Sequence, residues 1–199
     1  RVWSAAELDG SADSPELARA RVLRPVVAAA DHILDIHSTS QDVRPFWVYP
    51  GHARNAVVAS SLSLPTTHLV MPQGLGSGTP LTQHGHLAAA AGSSAAMVVE
   101  CGQHFLQASA DRAITVTLEF LAHFGLIDAP ASAKAPRETH RRFELLRTVM
   151  VKHQDFRFVR PLVGFETFAE GELIGSDGDE RIVAPCDDCT VFMPTRQPI

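Results

Sequence analysis

Apolar and polar positions alternate along this chain in two styles, a helix-and-strand style first and a short-strand style later. Ser14-Pro15-Glu16 has the form of a helix start, with a hydroxyl to cap, proline at the first helical position and an acid in the first turn. The helix is expected to run to about residue 30, with Pro25 kinking or stopping it because proline removes a backbone donor. His32-Ile33-Leu34-Asp35-Ile36-His37 is an apolar-rich run ending in polar groups, the pattern of a buried parallel strand whose C-terminal end faces a ligand. Further along, the pattern predicts a short helix near 54–61, a strand at 68–71, an Ala-rich helix over 81–91 and a strand over 95–100. Ser109-Ala110-Asp111 opens another helix to about residue 124, with Ile114, Leu118, Leu121 and Ala122 on one apolar face and Gly125 in the stop position.

Residues 129–138, with Pro130, Pro136 and small side chains, read as a linker. Beyond it, runs such as Phe156-Arg157-Phe158-Val159 and Ile182-Val183 are separated by Gly171, Gly175, Asp177-Gly178 and Pro185. That is the pattern of short strands and tight turns. The expected organisation is an α/β domain over 1–128, the linker, and a small all-β domain over 139–199.

Composition narrows the function classes. With 45% hydrophobic and 20% charged residues the 199-residue chain is of ordinary globular type. A net charge of -5 and 17 scattered basic residues argue against nucleic-acid binding. The long uncharged stretch 55–99 is interrupted by Pro65, Pro72 and Pro80, so it does not suit a membrane span. Cys101, Cys186 and Cys189 are too few and odd in number for a disulfide scaffold, which favours a reducing cytoplasm. The chain starts abruptly at Arg1-Val2-Trp3 with no initiator methionine, as if cut from a longer one, so a targeting segment could lie upstream.

Two strand ends offer chemistry. His37 is the best metal candidate, because a strand end fixes its direction and Asp35, on the same face, could support it from behind; a satisfied, half-buried histidine is the plainer alternative. Glu100 closes the apolar run 95–99, where a carboxylate is seldom placed for packing and suits a general base; a strand-end carboxylate facing water or an arginine is the alternative. Gly102 would let backbone approach a substrate. The Gly74-Leu75-Gly76-Ser77-Gly78 loop lacks the ending of a phosphate-binding loop, and no Gly-x-Ser-x-Gly elbow occurs. Cys101 with His104 is a weak nucleophile–base pairing, His84 and His86 point to different sides of the expected helix, and His140 and His153 fall in the β domain. Cys186-x-x-Cys189 is half a zinc motif without its second pair.

Leu34-Asp35-Ile36-His37-Ser38-Thr39 resembles the Asp-x-His-x-Thr motif of the succinylglutamate desuccinylase/aspartoacylase family, relatives of the zinc carboxypeptidases. Val99-Glu100-Cys101-Gly102 resembles the family's Val-Glu-x-Gly motif, and Arg1-Val2-Trp3 the tail of its Asn-Arg-x-Phe segment. The resemblance implies a mixed central sheet flanked by helices, followed by a small β domain. It also implies zinc as cofactor, with His37 as third ligand, Glu100 as the base that activates water, and Arg1 as the group that binds a substrate carboxylate. The implied reaction is hydrolysis of an N-acyl amino acid or similar small amide. The family's first two zinc ligands come from a His-x-x-Glu motif, which is absent from these 199 residues. This implies ligands upstream of Arg1 and an inactive fragment; a zinc-free binding or regulatory protein on the same fold is the alternative. Ala90 and a single tyrosine, Tyr49, depart from the animal aspartoacylase pattern, so acetylaspartate need not be the substrate, and Arg44 is an alternative anion contact. The β domain could serve oligomerisation or cover the cleft.

Overall fold

A computed structural model describes residues 1–72, 78–130 and 139–194. The chain divides into two compact units, Arg1–Ser40 with Pro45–Leu146, and Gln41–Arg44 with Arg147–Ile199.

The first unit is built on a five-stranded mixed sheet. Its strands are β1 (Ile33–Thr39), β2 (Phe46–Pro50), β3 (Thr67–Met71), β4 (Ala96–Gln103) and β5 (Arg141–Glu144), in the order β1-β4-β2-β3-β5. β1 and β4 run parallel to each other, β2 is antiparallel to β4, and β2, β3 and β5 run parallel. Helices α1 (Ala5–Asp9), α2 (Pro15–Ala29), α3 (Ala53–Ser61) and α4 (Gln107–His123) flank the sheet. Because strand side chains alternate, β4 sends Met97 and Val99 into one core with Val58 and Ala59 of α3 and Val116 and Phe120 of α4. It sends Ala96 to the other side, against Leu8 of α1 and Ala20 and Val27 of α2. Trp47 and Phe120 anchor the first core, each contributing about 2–3 kcal/mol through apolar burial. β1 has a neighbour on one side only among the described residues, and Ile36 on that edge strand is 45% exposed.

Several local rules hold. Ser14 caps α2 by accepting a hydrogen bond from the Leu17 amide at 3.1 Å. Ser4 caps α1 by accepting from the Glu7 amide at 3.2 Å, and its hydroxyl donates to Glu7 Oε2 at 2.8 Å. α2 nevertheless runs through the exposed Pro25 to Ala29 without stopping, although the proline supplies no donor to the Arg21 carbonyl. The helix expected over 81–91 is instead two short 3₁₀ turns, Leu81–Gln83 and Gly85–Ala88. Gly85 takes φ +56°, and Arg54 reaches across to the carbonyls of Leu87, Ala89, Ala90 and Ser94 at 2.6–3.1 Å, replacing helical donors. α4 buries Ser109, Val116, Glu119 and Phe120, leaving Ile114 59% exposed, so the expected apolar face is not the packed one. Glu119 faces inward because its carboxylate accepts from the amide and hydroxyl of Ser63 at 2.6 and 2.7 Å.

The second unit holds a three-stranded antiparallel sheet and a two-stranded ribbon. The sheet is β6 (Arg157–Phe158), β8 (Leu173–Asp177) and β9 (Glu180–Val183), and the ribbon pairs β7 (Thr167–Phe168) with β10 (Cys189–Thr190). Leu162, Phe168, Ile174, Ile182 and Ala184 form its core. Asp177 is buried and pins the 152–153 segment, accepting from the amides of Lys152 and His153 at 2.8 and 2.9 Å. This unit takes the short strands expected of the all-β domain, but residues 139–146 belong to the first unit. Arg141–Glu144 pairs with β3 in parallel, which outweighs its place beyond the linker, and His140 goes with it. Most of the expected linker and all but Gly78 of the glycine-rich loop lie outside the described residues.

Candidate functional site

His37 and Glu100 are directly opposed Cα partners on β1 and β4, near the C-terminal ends of two parallel strands. Parallel neighbours in register present side chains to the same face, so two segments remote in sequence deliver an imidazole and a carboxylate side by side. His37 Nδ1 lies 3.7 Å from Glu100 Oε1, and His37 Nε2 lies 3.1 Å from Asp35 Oδ1. The side chain of His37 is half exposed while that of Glu100 is only 11% exposed. Glu100 Oε2 is buried and has no hydrogen-bond partner among the described residues. Buried carboxylate oxygens are normally satisfied, so this one marks a place where another polar group belongs.

The two carboxylates create a field that favours positive charge. Hydrogen bonds to Asp35 first and Glu100 second push the His37 imidazolium up to about 10.

A bulge follows the pair. Pairing passes from His37 opposite Glu100 to Thr39 opposite Gln103, so β4 carries an extra residue there. Gly102 takes φ +111°, and a Cβ on it would stand 2.9 Å from Ser109 Oγ of α4 and 3.3 Å from Arg112 Nη1. What Gly102 admits is therefore helix α4. Arg112 also donates to the Cys101 carbonyl, fastening the bulge. Gly102→Ala is expected to lower stability by about 2–3 kcal/mol, from left-handed backbone strain plus the clash, read as a drop in urea midpoint. An unchanged midpoint would show that α4 can give way.

The α-amino group of Arg1 meets Glu16 Oε1 at 3.0 Å, and Val2 bridges Thr79. Arg44 belongs to the second unit, where its guanidinium lies 5.2 Å over the Phe165 ring. His84 and His86 meet the carbonyls of Trp3 and Ala30 at 2.9 Å each. Cys101 is buried, and burial pushes its thiol up, which argues against a nucleophile. His104 instead meets Ser38 Oγ at 2.8 Å, and its amide donates to the Thr39 carbonyl at 2.9 Å, tying the end of β4 to the end of β1. Ser38, next to His37 in the motif, was the signal for that tie.

On the other face of the sheet lies a buried chain the sequence did not reveal. Tyr49 Oη meets His68 Nδ1 at 2.7 Å, and His68 Nε2 meets His140 Nδ1 at 2.7 Å. His68 is fully buried, and its pKa is lowered to about 4 by burial, helped by His140 and Arg142.

As to a metal, among the described residues no group of three His, Cys, Asp or Glu could hold one. His37 backed by Asp35 is a sound single ligand, but catalytic zinc takes three from the protein. The donor set in these residues is therefore incomplete. No helix among the described residues is long and apolar enough to cross a membrane.

No protein-family model and no curated protein matches this chain. Solved structures do. The chain is similar to a succinylglutamate desuccinylase from Vibrio cholerae with a TM-score of 0.70 at 21% identity, covering 100% of this chain and 60% of that one. It is similar to the succinylglutamate desuccinylase from Chromobacterium violaceum with a TM-score of 0.57 at 20% identity, covering 100% of this chain and 67% of that one. It is also similar to the ectoine utilization protein EutE from Ruegeria pomeroyi, with a TM-score of 0.58 at 14% identity over 92% of this chain and 60% of that one. The chain therefore has the α/β fold of the succinylglutamate desuccinylase structures, spanning 60% of the length of the Vibrio cholerae protein.

Proposed function

We propose that these residues form the larger part of a deacylase of the succinylglutamate desuccinylase/aspartoacylase type, which hydrolyses an N-acyl amino acid or similar small amide. The observation that carries this reading is the register: His37 stands opposite Glu100, with Asp35 behind the imidazole and a buried, unpartnered oxygen on the carboxylate. The fold likeness supports it by supplying a hydrolase scaffold.

In this reading Glu100 takes a proton from the attacking water and returns it to the departing amine. Its 11% exposure keeps bulk solvent from competing for that proton. Asp35 holds the ring of His37 in one orientation, and His37 would hold one position on a zinc ion. Zinc, when bound, would polarise the scissile carbonyl and make water more acidic. Arg1 would pair with a substrate carboxylate in bidentate geometry. The remaining zinc ligands would come from polypeptide beyond the described residues, whose donor set is incomplete.

The test compares this polypeptide with one extended upstream of Arg1. The 199-residue chain is expected to hold far less than one equivalent of zinc and to leave N-succinyl and N-acetyl amino acids intact. The extended chain is expected to hold one equivalent and to release the acyl group. Stoichiometric zinc with turnover from the short chain would overturn the split site. An extended chain that binds such ligands without cleaving them would overturn the deacylase reading in favour of a binding protein.

A further inference from the structure

Cys186 and Cys189 take no part in the proposed hydrolysis. They are the first and last residues of the turn Cys186-Asp187-Asp188-Cys189, which leaves β9 and enters β10. Asp188 takes φ +52° at the third turn position. Such a turn brings its end Cα atoms to within about 7 Å, close to the span of a disulfide. The turn is held in place: the Glu170 amide donates to Asp187 Oδ1 at 3.0 Å, the Gly171 amide to the Ala184 carbonyl at 2.9 Å, and Thr190 Oγ1 to the Asp188 carbonyl at 3.2 Å. Both cysteines are free thiols and half-buried.

We propose that Cys186 and Cys189 form a reversible dithiol–disulfide site whose oxidant is a low-molecular-weight disulfide of the glutathione type. Cys186 gives its proton to the medium and attacks one sulfur of the small disulfide, leaving a mixed disulfide on Cys186, and each small thiolate expelled in the two steps takes up a proton from the medium. Cys189 gives its proton to the medium and attacks the Cys186 sulfur, expelling the second half. The sum is one protein dithiol and one small disulfide giving one protein disulfide and two small thiols. Cys189 then needs no diffusive encounter, because the turn holds it beside the mixed disulfide on Cys186. A metal fits this pair poorly, since two thiolates leave a tetrahedral ion half-coordinated and no third ligand is grouped with them among the described residues. The bond would fix the corner between the three-stranded sheet that ends in β9 and the ribbon that contains β10.

The test treats the native 199-residue protein with oxidised glutathione, then denatures it, alkylates the remaining thiols and reads the mass. Alkylatable thiols are expected to fall from three to one, with the loss of two hydrogens, a Cys186–Cys189 link in the peptide map, and full recovery on adding dithiothreitol. Cys186→Ser and Cys189→Ser are each expected to trap a glutathione adduct on the remaining cysteine of the pair. Stable adducts on the unaltered protein, a bond to Cys101, dimers linked between chains, or retention of all three thiols would each overturn the proposal. The unaltered protein decides the matter by itself, so a serine variant that fails to fold does not.

Discussion

Glu100→Gln, introduced into a chain extended upstream so that it turns over, is expected to lower kcat by about 10²–10⁴-fold with little change in zinc content. Glutamine keeps the shape of the side chain but cannot take up the proton of the attacking water. A structural role predicts a different pattern. Glu100 Oε1 faces His37 at 3.7 Å and Oε2 is buried and unpartnered, so the change to glutamine is expected to move the urea midpoint only slightly. A large fall in midpoint together with a small fall in kcat would make Glu100 a packing residue and remove the general base from the proposed mechanism.

Acid should weaken the first unit through His68. Its folded-state pKa is about 4 against an ordinary 6.5, so the folded protein keeps His68 neutral while the unfolded chain protonates it. The unfolded state therefore binds more protons between these values, and stability is lost as pH falls from about 6.5 to about 4. Complete passage through that window is worth about 3 kcal/mol, at 1.36 kcal/mol per unit. The groups facing His68 are Tyr49, His140 and Arg142, none of which offers a negative charge to hold a proton there. Urea unfolding at about pH 7.5 and 4.5 checks this, with His68→Gln expected to flatten the difference by about 2–3 kcal/mol. Equal pH slopes in the two proteins would sink it.

The sequence was most legible where local chemistry is strong. Ser14 and Pro15 mark the start of α2, Gly125 with φ +71° ends α4, and the strands before His37 and Glu100 are apolar runs that end in polar groups. β2 was missed because Pro45 and Pro50 bracket Phe46-Trp47-Val48-Tyr49 and suggest a loop, although the strand lies inside the sheet between β4 and β3. β5 was misplaced because its partner, β3, is some seventy residues away and the strand itself is mostly exposed, with no alternation to read. The packed face of α4 was misjudged because Glu119 looked like a solvent residue until Ser63 supplied its partners. His37 and Glu100 were visible singly, but that they stand opposite one another depends on strand register, which only the folded sheet sets. The Tyr49–His68–His140 chain was hidden for the same reason, its members lying on three separate strands or strand approaches.

The bulge after Glu100 bears on how this protein can change over evolutionary time. Inserting or deleting one residue within 33–37 would turn His37 to the sheet face packed by α4 and bring Ile36 or Ser38 opposite Glu100. Beyond the pair, β4 already absorbs an extra residue at Cys101-Gly102. The stretch from Ile33 to His37 therefore keeps its count in descendants of this sequence, whereas the extra residue of β4 lies beyond the pair and leaves its register intact.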